Sequence, residues 1–93
     1  MSERPVRVLI VDDQALVRRG LAKLLEIEDA VEAADGEAAD GGAALRMLPS
    51  ARPDVALVAA LMPLMDGVEL VRRLSDEYPR IAAIILTTFD DDE

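Results

Sequence analysis

Three short apolar runs alternate along this chain with stretches of helical spacing. Val6-Arg7-Val8-Leu9-Ile10-Val11 is rich in β-branched residues and stops at the polar pair Asp12-Asp13. A run of that kind reads as a strand buried on both faces of a parallel sheet. Asp54 to Ala59 and Ile81 to Leu86 read the same way. From Gln14 to Ile27, Ala15, Leu16, Leu21, Leu24 and Leu25 are apolar, with Arg18, Arg19, Lys23 and Glu26 between them. The spacing predicts an amphipathic helix, weakened at Gly20 by about 1 kcal/mol relative to alanine. Asp13 is its expected N-cap. Ala43 to Leu48 predicts a short second helix, entered through a Gly41-Gly42 loop and stopped by Pro49. Gly67 to Tyr78 predicts a third, with Val68, Leu70, Val71 and Leu74 apolar, Asp66 at its cap and Pro79 just past its end. Strands alternating with helices imply crossover units on a parallel sheet.

One region breaks the pattern. Residues 32–41 are a tandem repeat, Glu-Ala-Ala-Asp-Gly twice over. A second strand is expected at Val31-Glu32-Ala33-Ala34 or one unit later, and alanine is a weak strand former. A five-residue shift in an element of period two exchanges its faces. The expectation is a frayed or register-ambiguous edge strand, or none.

Length and composition narrow the reading. The 93 residues, 52% of them hydrophobic, suit one small globular domain spanning 1–93. Tyr78 and Phe89 are the only aromatics, so Ala, Val, Leu, Ile and Met must build the core. No apolar run approaches the roughly 18–20 residues of a membrane span. Met1-Ser2-Glu3-Arg4-Pro5 is too polar for a signal peptide, and cysteine is absent, so a reducing cytoplasm is the default expectation. The net charge of −9 argues against direct contact with nucleic acid by this segment. Without histidine the commonest general base is missing, and an enzyme is not expected.

The chemistry-bearing residues lie at strand ends. Asp12 and Asp13 could hold a hard cation such as Mg²⁺ through oxygen, at the sheet edge where open parallel sheets place their sites. The alternative reading makes Asp13 a helix cap and leaves Asp12 solvated. Thr87 could offer a hydroxyl to a phosphoryl oxygen, or could simply finish a strand. Asp90-Asp91-Asp92-Glu93 suits the acidic first turn of a helix better than a metal-binding tail. Met62-Pro63-Leu64-Met65 reads as a rigid loop with core-facing methionines. No glycine-rich phosphate loop is present, and Ser2, Ser50 and Ser75 have no base or oxyanion motif beside them.

Four stretches, in this order, resemble the receiver domain of bacterial response regulators. They are Val8-Leu9-Ile10-Val11-Asp12-Asp13-Gln14, Gly36-Glu37-Ala38-Ala39-Asp40-Gly41, Met62-Pro63-Leu64-Met65-Asp66-Gly67 and Leu86-Thr87-Thr88-Phe89-Asp90-Asp91-Asp92-Glu93. The regulators with a LuxR/NarL-type helix-turn-helix are the most similar group. The resemblance implies an α/β, flavodoxin-like three-layer sandwich on a parallel sheet of order 2-1-3-4. Relative to the family's 2-1-3-4-5 sheet it is incomplete, ending before the fifth strand and fifth helix.

By the same resemblance Asp12 and Asp13 match the acidic Mg²⁺ pair, Leu61 the residue whose backbone carbonyl also binds the metal, and Thr87 the switch hydroxyl. The position that accepts the phosphoryl group from a histidine kinase holds Ala59, not aspartate. The resemblance therefore implies a two-component signalling module that cannot be phosphorylated at its usual position, with at most a weak Mg²⁺ site. Two further readings stand beside it. One is residual phosphorylation at Asp12 or Asp13. The other is a structural module that associates with itself, as a homo-oligomer formed through an exposed fourth-strand edge.

Overall fold

The first apolar run forms strand β1 (Val6–Val11), and everything else is laid beside it or across it. The computed structural model describes residues 4–34, 36–60, 62 and 65–86. Along these run α1 (Ala15–Ile27), β2 (Val31–Ala33), α2 (Gly41–Ala51), β3 (Val55–Ala59), α3 (Gly67–Glu77) and β4 (Ala82–Leu86). The four strands are parallel and ordered β2-β1-β3-β4, the flavodoxin-like arrangement expected from the sequence. The β1–β2 crossover runs in the opposite direction along the sheet to the other two. Right-handed crossovers therefore put α1 on one face and α2 with α3 on the other.

Register decides which side chains reach each layer. Leu9 pairs with Ala56 and Val11 with Val58, so these four share a face. On it they meet Ala44 and Leu48 of α2 and Leu70 and Leu74 of α3, and all eight are buried. Val8 and Ile10 point the other way, beside Val55 and Leu57, and are also buried. That second face is thinly covered. Helix α1 has no fully buried residue, and Leu16, Leu24 and Ile27 are 79%, 61% and 72% exposed.

The repeat resolves into a short strand and a bridge. Only Val31–Ala33 pair as β2, and Ala38 then forms an isolated bridge to Val11. The Val8 carbonyl accepts the Ala34 N–H and the Ile10 carbonyl the Ala38 N–H. Two steps along β1 thus face four along its neighbour, and two residues are surplus. An even surplus preserves the side-chain alternation that a five-residue shift would have reversed. Ala34 and Ala38 are accordingly both buried in the same core. Gly36 makes this possible, with φ at 91°, where a side chain would be strained.

Two helix ends differ from expectation. Helix α2 starts at Gly41, capped by Asp40, whose Oδ1 accepts the Ala43 N–H at 2.8 Å. It continues past Pro49, because proline so near the end removes just one late hydrogen bond. The Arg52 N–H, with φ at 47°, closes the last turn on the Leu48 carbonyl. Helix α1 has Gln14, not Asp13, at its cap position, and no side-chain cap at all. Asp12 supplies the local bond instead, as its Oδ1 accepts the Gln14 N–H. In α3 the expected cap is present, with Asp66 Oδ1 accepting the Glu69 N–H at 2.9 Å.

The opposite end of the sheet is tied by Asp54. Its carboxylate accepts both Arg4 Nη1 and Nη2 at 2.9 Å, and the Arg7 backbone N–H as well. Its own N–H donates to the Arg7 carbonyl, and its carbonyl accepts the Ala82 N–H. One residue therefore joins the starts of β1, β3 and β4. The Arg4 guanidinium, seconded by the Arg7 N–H, holds the Asp54 carboxyl down at about 2 from its ordinary 3.8. A carboxylate depressed on folding contributes stability above its unfolded pKa and loses it as pH falls through the folded one. We expect the fold to weaken as pH drops from about 4 towards 2, and NMR titration of Asp54 to report a midpoint near 2. Arg4→Ala should raise that midpoint part of the way back, because the Arg7 N–H remains. An unchanged midpoint in the variant would show that Arg4 is not its cause.

Candidate functional site

The carboxyl ends of β1 and β3 lie side by side. Val11 pairs with Val58, so Asp12 and Ala59 follow as the next residues on adjacent strands. Ala59 pairs in turn with Leu86 at the end of β4. Leu61 and Thr87 lie outside the described residues, as do Asp90 to Glu93.

Asp12 is held from several directions. Its N–H donates to the Ala38 carbonyl at 3.0 Å, and its carbonyl accepts Arg18 Nη1. The same guanidinium donates Nε to Glu37 Oε1 at 3.1 Å. Arg18 thereby clamps the end of β1 to the second copy of the repeat. With Oδ1 given to Gln14, the Asp12 side chain is buried yet satisfied. Asp13 beside it is exposed. The two expected acids therefore differ: one is fixed in the sheet edge and the other is a free charge at its rim. Among the described residues no cluster of three or more His, Cys, Asp or Glu side chains could hold a metal ion. Ala59, at the end of the third strand, contributes no side-chain oxygen to this edge.

The loop after β3 is shaped by a close approach. The Gly67 N–H donates to the Ala60 carbonyl at 2.9 Å, bringing the first turn of α3 against the end of the strand. A Cβ on Gly67 would collide with the Ala59 carbonyl and press on Ala60 Cα. Both are backbone and cannot rotate away.

A parallel 2-1-3-4 sheet with acids after β1 and a glycine-tight β3–α3 turn is the frame of one known family. The model for the response regulator receiver domain matches residues 8–93. The chain belongs to that family. The receiver is 40% identical over 88 residues to the transcriptional regulatory protein LiaR of Bacillus subtilis, covering 95% of this chain and 41% of that protein. It is equally identical, over the same length, to the DNA-binding transcriptional activator DevR/DosR of Mycobacterium tuberculosis, covering 95% and 40%. Among solved structures, the signal receiver domain of the response regulator NarL from Mycobacterium tuberculosis superposes with a TM-score of 0.84 at 32% identity. That match covers 97% of this chain and 72% of the other. The receiver thus spans about two fifths of the length of the regulators it matches. The relatives named here are regulators, not enzymes.

Sequence reasoning singled out Asp12 and Asp13 but missed Arg18, Glu37 and Asp54. Arg18 carries a usable signal, because it stands one helical turn after Gln14, on the side of α1 that returns to the strand end. Glu37 carries none, since its role depends on how the repeat is threaded. Gly67→Ala should destabilise the receiver by about 1–3 kcal/mol, as overpacking against fixed backbone does, measured by urea unfolding. A loss of a few tenths would mean that the β3–α3 turn has room this geometry denies it.

Proposed function

We propose that this receiver is the signalling module of a two-component transcriptional response regulator whose phosphoryl switch is silent. The observation that carries the reading is Ala59 at the end of β3, next in line to Asp12 across the strand pair. Acceptance of a phosphoryl group needs an oxygen nucleophile there, and a methyl group has no lone pair to attack phosphorus. The scaffold around it is otherwise that of a receiver, so the partners implied by the family are a histidine kinase and a separate DNA-binding segment. The segment described here is acidic and suits no direct nucleic-acid contact. Among the described residues no helix is long and apolar enough to cross a membrane, and a cytoplasmic location is part of the proposal.

The residues fit Mg²⁺ only in part. The Asp12 and Asp13 carboxylates and the Leu61 carbonyl would be its ligands, with Thr87 as the switch hydroxyl position. Mg²⁺ sheds water reluctantly and needs near-octahedral oxygen geometry, so two acids without a third hold it weakly. When bound, the ion would neutralise charge on phosphoryl oxygens.

A second reading rests on a different observation. On β4, Ile84 and Ile85 are 48% and 37% exposed, and Leu16, Leu24 and Ile27 of α1 are more so. Apolar surface of this kind on the described residues supports a module that associates with itself.

The first reading is tested by intact mass after incubation with a small-molecule phosphodonor and Mg²⁺. The unmodified chain should gain no phosphoryl mass, whereas Ala59→Asp should gain it. A stoichiometric adduct on the unmodified chain, mapped to Asp12 or Asp13, would overturn the silent switch.

A further inference from the structure

The amino ends of the strands carry a hollow, at the opposite end of the sheet from Asp12 and Ala59. It measures about 360 Å³ and is lined by Arg4, Arg7, Ser50, Ala51 and Arg52. Three of the ten basic residues thus meet in one place, in a chain with 19 acids. No carboxylate is among the lining residues. All three cations are arginines, whose planar forks present paired N–H donors to an oxyanion.

Two of the three are already committed. Arg4 gives Nη1 and Nη2 to the Asp54 carboxylate. Arg7 gives Nε and Nη2 to the Ala51 carbonyl at 3.3 and 2.9 Å, and Nη1 to Glu32. They form a fixed wall whose charge Asp54 and Glu32 largely offset. Arg52 is different. It is exposed, and among the described residues no carboxylate pairs with its guanidinium. The excess positive charge of the hollow is therefore that of Arg52, and Ser50 brings a hydroxyl to the same lining.

The backbone at Arg52 is a second, independent observation. Its φ of 47° and ψ of 56° are left-handed, and among the described residues no other residue except glycine has a positive φ. Glycine is the usual residue where a helix ends in this conformation. A cation at a helix C-terminus can be kept for the dipole. Here Arg7 already supplies one, on the Ala51 carbonyl. A strained position thus keeps an arginine whose side chain the fold leaves unused, and retained strain of this kind points to function.

We infer that the hollow binds a small phosphate-bearing anion, gripped by Arg52 and Ser50 against the wall of Arg4 and Arg7. A phosphoryl group carries nearly two charges and three acceptor oxygens, enough to engage a fork and a hydroxyl together. The volume lies in the range of small-molecule sites. No aromatic residue lines it, so the recognised part is the phosphoryl group and not a stacked ring. The inference is independent of what position 59 can accept.

NMR titration with inorganic phosphate and with glycerol 3-phosphate, at matched low ionic strength, makes the test. The amide signals of Ser50, Ala51 and Arg52 should shift saturably, while those of Asp13 and Gly67 stay in place. Arg52→Gly should weaken binding about tenfold or more, as loss of a charged hydrogen-bonding fork does. Its urea midpoint should be no lower than that of the unmodified chain, because glycine accepts the left-handed backbone. Arg52→Lys keeps the charge without the fork and should bind with intermediate strength. Tighter binding of the ester would identify a phosphorylated small molecule as the ligand, and tighter binding of phosphate the free ion. Shifts that grow without saturating, or binding unchanged in Arg52→Gly, would overturn the site. A lowered urea midpoint in Arg52→Gly would show that the arginine serves the fold, and would overturn it as well.

Discussion

The pairing of β1 with β3 is the constraint on which the rest of this structure depends. It aligns Leu9 with Ala56 and Val11 with Val58, and so sets the floor that Leu70 and Leu74 cover. The same alignment carries Asp12 and Ala59 to one level at the strand ends. A slip of one residue would turn Leu9 and Val11 towards α1 and remove Asp12 from its place beside β3. Burial of the α2–α3 face is therefore also what locates the chemistry. Asp54 reinforces the alignment from the far end, since its backbone and carboxylate both reach β1 while its carbonyl reaches β4.

What was legible in the sequence follows from how local each signal is. Strand β1 spans the residues its apolar run predicts, β3 and β4 begin one residue later than expected, and the Asp66 cap is where its spacing puts it. Those features are fixed by a few adjacent residues. Helix α2 runs on to Ala51, past the stop expected at Pro49, because a proline so near the helix end costs little. The cap of α1 is ambiguous in the sequence, because two aspartates stand in line and only the fold shows that the first turns to Gln14. The repeat was least legible, for a physical reason. Identical units give no local preference between registers, so the choice falls to tertiary contacts, Arg7 with Glu32 and Arg18 with Glu37.

The candidate site shows the same division. Asp12 and Asp13 could be named from an acidic pair after an apolar strand, and their family role from the accompanying motifs. Their inequality could not, because burial of one and exposure of the other depends on the Ala38 bridge and the Arg18 clamp. These contacts serve the fold whether or not a phosphoryl group ever arrives. Arg18 binds a backbone carbonyl and a neighbouring carboxylate, and Gly67 seats α3 on backbone atoms of Ala59 and Ala60. Neither contact calls on the side chain at position 59.

On the proposed reading, that independence is how a receiver keeps its shape without its nucleophile. An aspartate at position 59 would add a third carboxylate beside Asp12 and Asp13, and like charges gathered in one site oppose one another's ionisation. Alanine removes that repulsion and asks for no hydrogen-bond partner. None of these framework contacts uses the side chain at position 59, so they persist through the change. Sheet pairing, the Asp54 tie and the Asp66 cap stabilise the scaffold, while the carboxylates at its opposite edge are what a phosphoryl switch adds to it. Under the proposed function, alanine at position 59 withholds one such carboxylate and so removes chemistry while leaving architecture, which is the physical content of proposing a silent switch.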